Sequence, residues 1–218
     1  MRKVSIDNVQ PGMKLAKSIF ASSGIALLAA GVELKTVYIE KLKTNNIFDL
    51  YIEDELSQDI IINDVICEQT RVEARILVKN VMDEYTLSQS IKSDKVKALI
   101  SRIIDELLSI KEILVNLSDI KTADDYTFAH CVNVCILSVI TGIAMEYNQI
   151  RLRDLGIGAL LHDIGKLRVP PEILKKPARL TLEEFEVVKR HTQYGYEILK
   201  GNPEISLVSA YIALGHHE

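Results

Sequence analysis

The five histidines of this chain, His130, His162, His191, His216 and His217, all fall in its second half, each within or directly after a segment with helical spacing. A fold that gathers separate helices around one interior can bring such residues to a single point, as helix bundles do when they build metal sites in their cores. The stretch Leu160-Leu161-His162-Asp163-Ile164-Gly165-Lys166 tightens this constraint. It sets an imidazole and a carboxylate among apolar residues, and two polar groups that are costly to bury need a partner there. A divalent transition metal satisfies both, because neutral imidazole and carboxylate are common ligands of such ions. For the dipeptide alone a surface His-Asp pair is the alternative, and for any single histidine a satisfied core or surface residue. Six candidate ligands on four helical segments argue instead for a shared metal centre.

The segments read as follows. Tyr126 to Tyr147 forms a helix with His130 in its second turn, and Arg151 to Asp163 forms the next, with His162 and Asp163 near its carboxyl end and Gly165 letting the chain leave it. Pro170-Pro171 enforces a break. Thr181, with Glu184 three residues on, has the pattern of a capping box and opens the helix that carries His191. Gly201-Asn202-Pro203 stops that helix. A last one, from about Glu204, buries Ile205, Leu207, Val208, Tyr211 and Ile212 and delivers His216-His217.

This pattern resembles the HD superfamily of metal-dependent phosphohydrolases, and within it the HD-GYP branch. The resemblance covers about residues 119 to 218. It is carried by the histidines with Asp163, by Gly165-Lys166, by Tyr126-Thr-Phe-Ala-His130-Cys-Val-Asn-Val134, by Lys176-Pro177 with Leu180-Thr181, and by Glu184-Phe185 before His191. It implies hydrolysis of the bacterial second messenger cyclic di-GMP to the linear dinucleotide pGpG or on to GMP. It further implies two metal ions, one served by His130 and His162 and the other by His191, His216 and His217, with Asp163 the natural bridge. Two metals about 3.5 to 4 Å apart suit phosphodiester hydrolysis, since they can hold a nucleophilic hydroxide and neutralise charge on the phosphoryl oxygens. Histidine-rich ligation favours iron, manganese or zinc over magnesium, which prefers oxygen. Lys166 is expected to meet a substrate phosphate as a point charge, with a solvated lysine near a helix end as the alternative. Some members of the branch add a glutamate four residues before the first histidine and hold a third metal. Tyr126 occupies that position here, and Asp124 and Asp125 lie on other faces, so two metals are expected.

Two departures accompany the resemblance. The further aspartate of an HD site and the Gly-Tyr-Pro segment both belong after the histidine pair, and neither is present before Glu218. Three functional classes therefore stand: a cyclic di-GMP phosphodiesterase, another HD phosphohydrolase acting on nucleotides, and a metal-bound signalling module without turnover.

The remainder of the chain offers no rival site. Residues 1–58 carry Gly12, Gly24 and Gly31 between short apolar stretches. Leu15 to Phe20, Ile25 to Leu28 and Ile47 to Ile52 read as strands, and Thr36 caps a helix through Leu42 that Asn45-Asn46 ends. That block is expected to be a small α+β docking or regulatory domain. In residues 59–118 the apolar positions Ile100, Ile103, Ile104, Leu107, Leu108 and Leu114 follow helical spacing, and the run from Asp64 to Tyr85 reads as a connecting helix. These helices pack either within the chain or, as a homodimer, against a second copy. Together with a helical metal domain over residues 119–218, the expected fold is mainly α, a helical bundle behind a small α+β domain. A net charge of −4 argues against a nucleic-acid polymer as partner. Three cysteines, Cys67, Cys131 and Cys135, leave an odd number; Cys131 and Cys135 flank an apolar run and are read as core. No apolar run approaches the roughly 18 to 20 residues of a membrane span, and a cytoplasmic protein is expected.

Overall fold

The computed structural model describes residues 1–20, 26–45, 47–53, 65–110 and 126–218. Gly24, Ile25, Asn46, Asp64, Leu114, Asp124 and Asp125, on which expectations above rest, lie outside the described residues, as does the side chain of Tyr126. The chain divides into two compact units, the first made of Met1–Ile76 and Glu112–His130 and the second of Leu77–Lys111 and Cys131–Glu218.

In the first unit, Val4 and Ile6 alternate with Lys3 and Ser5, the period of a half-buried strand. Strand β1 (Arg2–Ser5) pairs antiparallel with β4 (Asp49–Ile52), Arg2 opposite Ile52 and Ser5 opposite Asp49. The sequence reading missed β1, although its alternation was legible. The stretch from Leu15 to Phe20 contributes only β2 (Ile19–Phe20), which pairs with β3 (Ala26–Leu28), while Leu15 makes a lone bridge to Ile52. Helix α1 (Thr36–Thr44) runs two residues further than expected. Lys35, not Thr36, holds its N-cap position, without a side-chain bond. Leu15, Leu34, Leu42, Leu50 and Ile52 form the core of this unit. Gly12 and Gly31 turn the chain at φ of +93° and +81°, where a Cβ would be strained.

Helix α2 (Glu68–Ser88) leads into α3 (Ser93–Leu108), whose Val96, Leu99, Ile100, Ile103, Ile104 and Leu107 form one buried stripe. Burying each such side chain contributes about 1.5–3 kcal/mol. Their inward packing is against other parts of this chain. The bundle continues with α4 (Tyr126–Ala144), α5 (Gln149–Leu160), a short 3-10 turn (Ile164–Arg168), α6 (Pro171–Leu174), α7 (Leu182–Lys189), α8 (His191–Lys200) and α9 (Leu207–Gly215). Helix α8 packs on α9 and on the Ile164–Arg168 turn, and α5 packs on α3 and α9. Among the described residues no helix is long and apolar enough to cross a membrane.

Three expectations change in this bundle. Helix α5 ends at Leu160, so His162 and Asp163 stand on the turn after it rather than within it. The helix opened by Thr181 ends at Lys189, and His191 begins a new one after a break at Arg190. In α9 the buried face is Ser209, Ala210 and Ala213, whereas Leu207, Val208 and Tyr211 are exposed and Ile212 is half-buried. The cause of the last is the close approach of α5. A Cβ on Gly158 would lie 2.9 Å from the Ser209 carbonyl oxygen and 2.7 Å from Ile212 Cδ1, so position 158 must be glycine for the two helices to come this close.

Candidate metal centre

His162, His191 and the pair His216-His217 stand at helix ends or turns whose local sequence explains their positions. Thr181 accepts from the Glu184 amide while the Glu184 side chain accepts from the Thr181 amide, a complete capping box that starts α7 and so sets where His191 falls. Asn148 caps α5 by accepting from the Arg151 amide, and Ser206 caps α9 by accepting from the Ser209 amide. These caps fix the phases of the two helices that lead to His162-Asp163 and His216-His217.

The backbone between those elements is drawn unusually close. A Cβ on Gly165 would lie 1.9 Å from the carbonyl oxygen of His191 and 2.4 Å from the Gly195 amide nitrogen. Gly165 is therefore required for contact between the Ile164–Arg168 turn and α8, not for leaving a helix as the sequence suggests. That contact brings Asp163 beside His191.

The imidazoles share one pattern of orientation. Nδ1 of His162 faces the Ala159 carbonyl at 2.8 Å, Nδ1 of His191 the Val188 carbonyl at 2.6 Å, and Nδ1 of His216 the Ala213 carbonyl at 2.9 Å. A carbonyl oxygen only accepts, so each Nδ1 carries the proton and each Nε2 keeps its lone pair. Those lone pairs point at Asp163: Nε2 of His162 lies 3.3 Å from Oδ2, and Nε2 of His191 and His216 lie 3.5 and 3.7 Å from Oδ1. Nε2 of His191 and His216 stand 3.2 Å apart. Acceptors converging at this spacing are mutually repulsive unless a cation lies among them.

Asp163 is the centre of the constellation. It is 2% exposed, and its Oδ1 accepts no hydrogen bond among the described residues. An orphaned buried carboxylate oxygen beside two imidazole acceptors fits a divalent ion. Burial would raise the Asp163 pKa, but the ammonium of Lys166, 2.6 Å from Oδ2, favours the ionised carboxylate and pulls the pKa down. Burial lowers the pKa of His191 and of His217, favouring the neutral form that a metal requires.

His191, His216 and His217 form a group able to hold a metal, with ligand atoms within 4.8 Å of one another, and His162 and Asp163 stand beside it, while His130 falls in the other compact unit. Cys131 and Cys135 are fully buried, their thiols pushed up to about 12 chiefly by burial, and Cys135 Sγ lies 3.4 Å from the Gly156 carbonyl. They belong to the core, as expected. Arg168, which the sequence reading passed over, binds Glu197 of α8 at 2.9 Å and the Tyr85 hydroxyl of α2 at 2.9 Å. It pins the turn that carries Asp163. No local pattern signals a pairing across 83 residues.

Comparison with known proteins agrees with this geometry. The HD domain model matches residues 127–218. A cyclic di-GMP phosphodiesterase of Pseudomonas aeruginosa is 34% identical over 145 residues, 66% of this chain and 35% of that protein. A cyclic di-GMP phosphodiesterase of Thermotoga maritima is 41% identical over 115 residues, 52% of this chain and 31% of that protein. A 3'3'-cGAMP-specific phosphodiesterase of Vibrio cholerae is 31% identical over 125 residues, 55% of this chain and 23% of that protein. The chain thus spans about a third or less of these relatives.

Proposed function

We propose, from the match of residues 127–218 to the HD domain model, that the chain is a metal-dependent phosphodiesterase of the HD-GYP type that hydrolyses cyclic di-GMP in bacterial second-messenger signalling. The observation that carries this reading is the buried, unpartnered Oδ1 of Asp163 among imidazoles whose Nε2 lone pairs face inward. In this reading His130 and His162 serve one ion and His191, His216 and His217 the other, with Asp163 bridging. Two bound divalent ions, iron or manganese ahead of zinc, supply charge neutralisation at the phosphoryl group and a nucleophile of hydroxide strength near neutral pH.

The protein's own contribution is orientation. The three Nδ1–H to carbonyl bonds fix tautomer and ring direction before any ligand arrives, so no reorganisation is needed as charge develops. Lys166, about one-third exposed on a flexible stem, is assigned to a phosphate oxygen of the dinucleotide. Residues 1–58 are assigned a docking or regulatory role and residues 59–118 a connecting one, in a cytoplasmic protein. A homodimer through residues 60–118 would use their outward faces, where Leu87 and Leu108 are exposed; sedimentation equilibrium tests it.

A second reading, a different cyclic dinucleotide as substrate, is favoured by the similarity to the 3'3'-cGAMP-specific enzyme. Incubating metal-loaded protein with cyclic di-GMP, 3'3'-cGAMP and a nucleotide panel, with chromatographic product analysis, decides between them. Linear pGpG or GMP from cyclic di-GMP, lost in Asp163→Ala, is the expected result. Hydrolysis of another nucleotide alone would assign a different HD phosphohydrolase, and metal uptake without any turnover would leave a signalling module.

A further inference from the structure

The two oxygens of Asp163 face unlike surroundings. Oδ1 looks toward Nε2 of His191 and His216 at 3.5 and 3.7 Å and accepts no hydrogen bond among the described residues. Oδ2 lies 3.3 Å from Nε2 of His162 and 2.6 Å from the Lys166 ammonium. A divalent ion drawn to His162 and Oδ2 of Asp163 therefore shares an oxygen with an existing positive charge, whereas an ion in the His191, His216 and His217 group does not. Like charges on one buried carboxylate oxygen repel strongly, because little water lies between to screen them.

We propose that Lys166 sets the order in which the centre fills: the His191, His216 and His217 side binds its ion first, and the His162 side binds only as Lys166 swings off Asp163. The proposal rests on the metal-centre reading above and deepens it. The lysine stem can make this movement, since its side chain is 35% exposed and its anchor is the three-residue spacing to Asp163 on one turn. A phosphate group arriving at Lys166 draws it the same way, so substrate binding and filling of the second position support one another.

The test is a Mn(II) binding isotherm on the full chain, read from the electron paramagnetic resonance signal of free ion. Wild type should take two equivalents of unequal affinity, the tighter weakened by His217→Ala. Lys166→Met should tighten the weaker equivalent about tenfold, a modest part of the repulsion expected between such charges, and leave the tighter one unchanged. Lys166→Arg should keep the wild-type pattern. Equal affinities in wild type, no change in Lys166→Met, or the same change in Lys166→Arg would overturn the proposal. Wild type that takes up no Mn(II) would instead overturn the metal-centre reading itself.

Discussion

Gly165 and His191 touch through their backbones: a side chain on the first would occupy the carbonyl of the second, with a Cβ only 1.9 Å from that oxygen. The obstacle is backbone on a packed helix, which cannot rotate away as a side-chain tip can. Gly165→Ala is therefore expected to cost about 3 kcal/mol of stability, the upper end for overpacking a core. Urea denaturation measures it. The same variant should lose bound metal, since His191 would be displaced from Asp163, and full metal retention would sink the account of why a glycine stands there.

Asp163 turns one oxygen toward His162 and the other toward His191 and His216, so its replacement should strip the centre more completely than replacement of any single histidine. Elemental analysis of wild type, Asp163→Ala, His130→Ala and His217→Ala, purified without chelator, checks this. The expected order of retained metal places Asp163→Ala lowest, at less than about one-tenth of wild type, because each ion loses a charged ligand at once.

The Nδ1–H tautomer of His162, His191 and His216 is directly observable. Long-range ¹H–¹⁵N correlation spectra above neutral pH should show protonated Nδ1 and unprotonated Nε2 at all three, fixed by the carbonyls of Ala159, Val188 and Ala213. A protonated Nε2 at any of them would mean that the ring does not face the centre ready to bind.

Glu184 closes the cap of α7 and also accepts from Lys176 Nζ at 2.6 and 2.8 Å, and the Lys176 bond foremost lowers its pKa. A carboxyl with a depressed folded pKa contributes stability above its unfolded pKa and loses it as pH falls through the folded one. Helix α7 should thus hold as pH falls to about 4.5, near the ordinary glutamate value, and fray below it. Amide exchange across Leu182–Lys189 reads this, and Glu184→Gln should weaken the pH dependence, leaving the part due to Glu183, whose pKa is also lowered in the first turn.

Residues 1–52 hold a core of their own built on Leu15, Leu34 and Ile52, and none of the candidate ligands lies there. A chain beginning near Asp59 is expected to fold and to bind metal as the full chain does. Folding with loss of metal binding would show that the N-terminal block supports the centre.

The interactions that sequence alone decided are local ones. Thr181 and Glu184 cap α7 because the cap closes within four residues, and the 3.6-residue stripe of Ile100, Ile103, Ile104 and Leu107 buries one face of α3 wherever that helix packs. The ligand types of the centre were legible for a related reason: a clustered histidine and carboxylate inventory has few uses other than metal. Tertiary structure decided what depends on how closely two distant backbones approach. Ser209, Ala210 and Ala213 face inward on α9 in place of Leu207, Val208 and Tyr211, on the side where α9 packs against α5 and α8. Arg190 breaks the helix expected to run through His191, and Arg168 ties Tyr85 to Glu197 across the bundle. Hydrophobicity states that a residue prefers burial, but the distance between helices decides whether there is space to bury it.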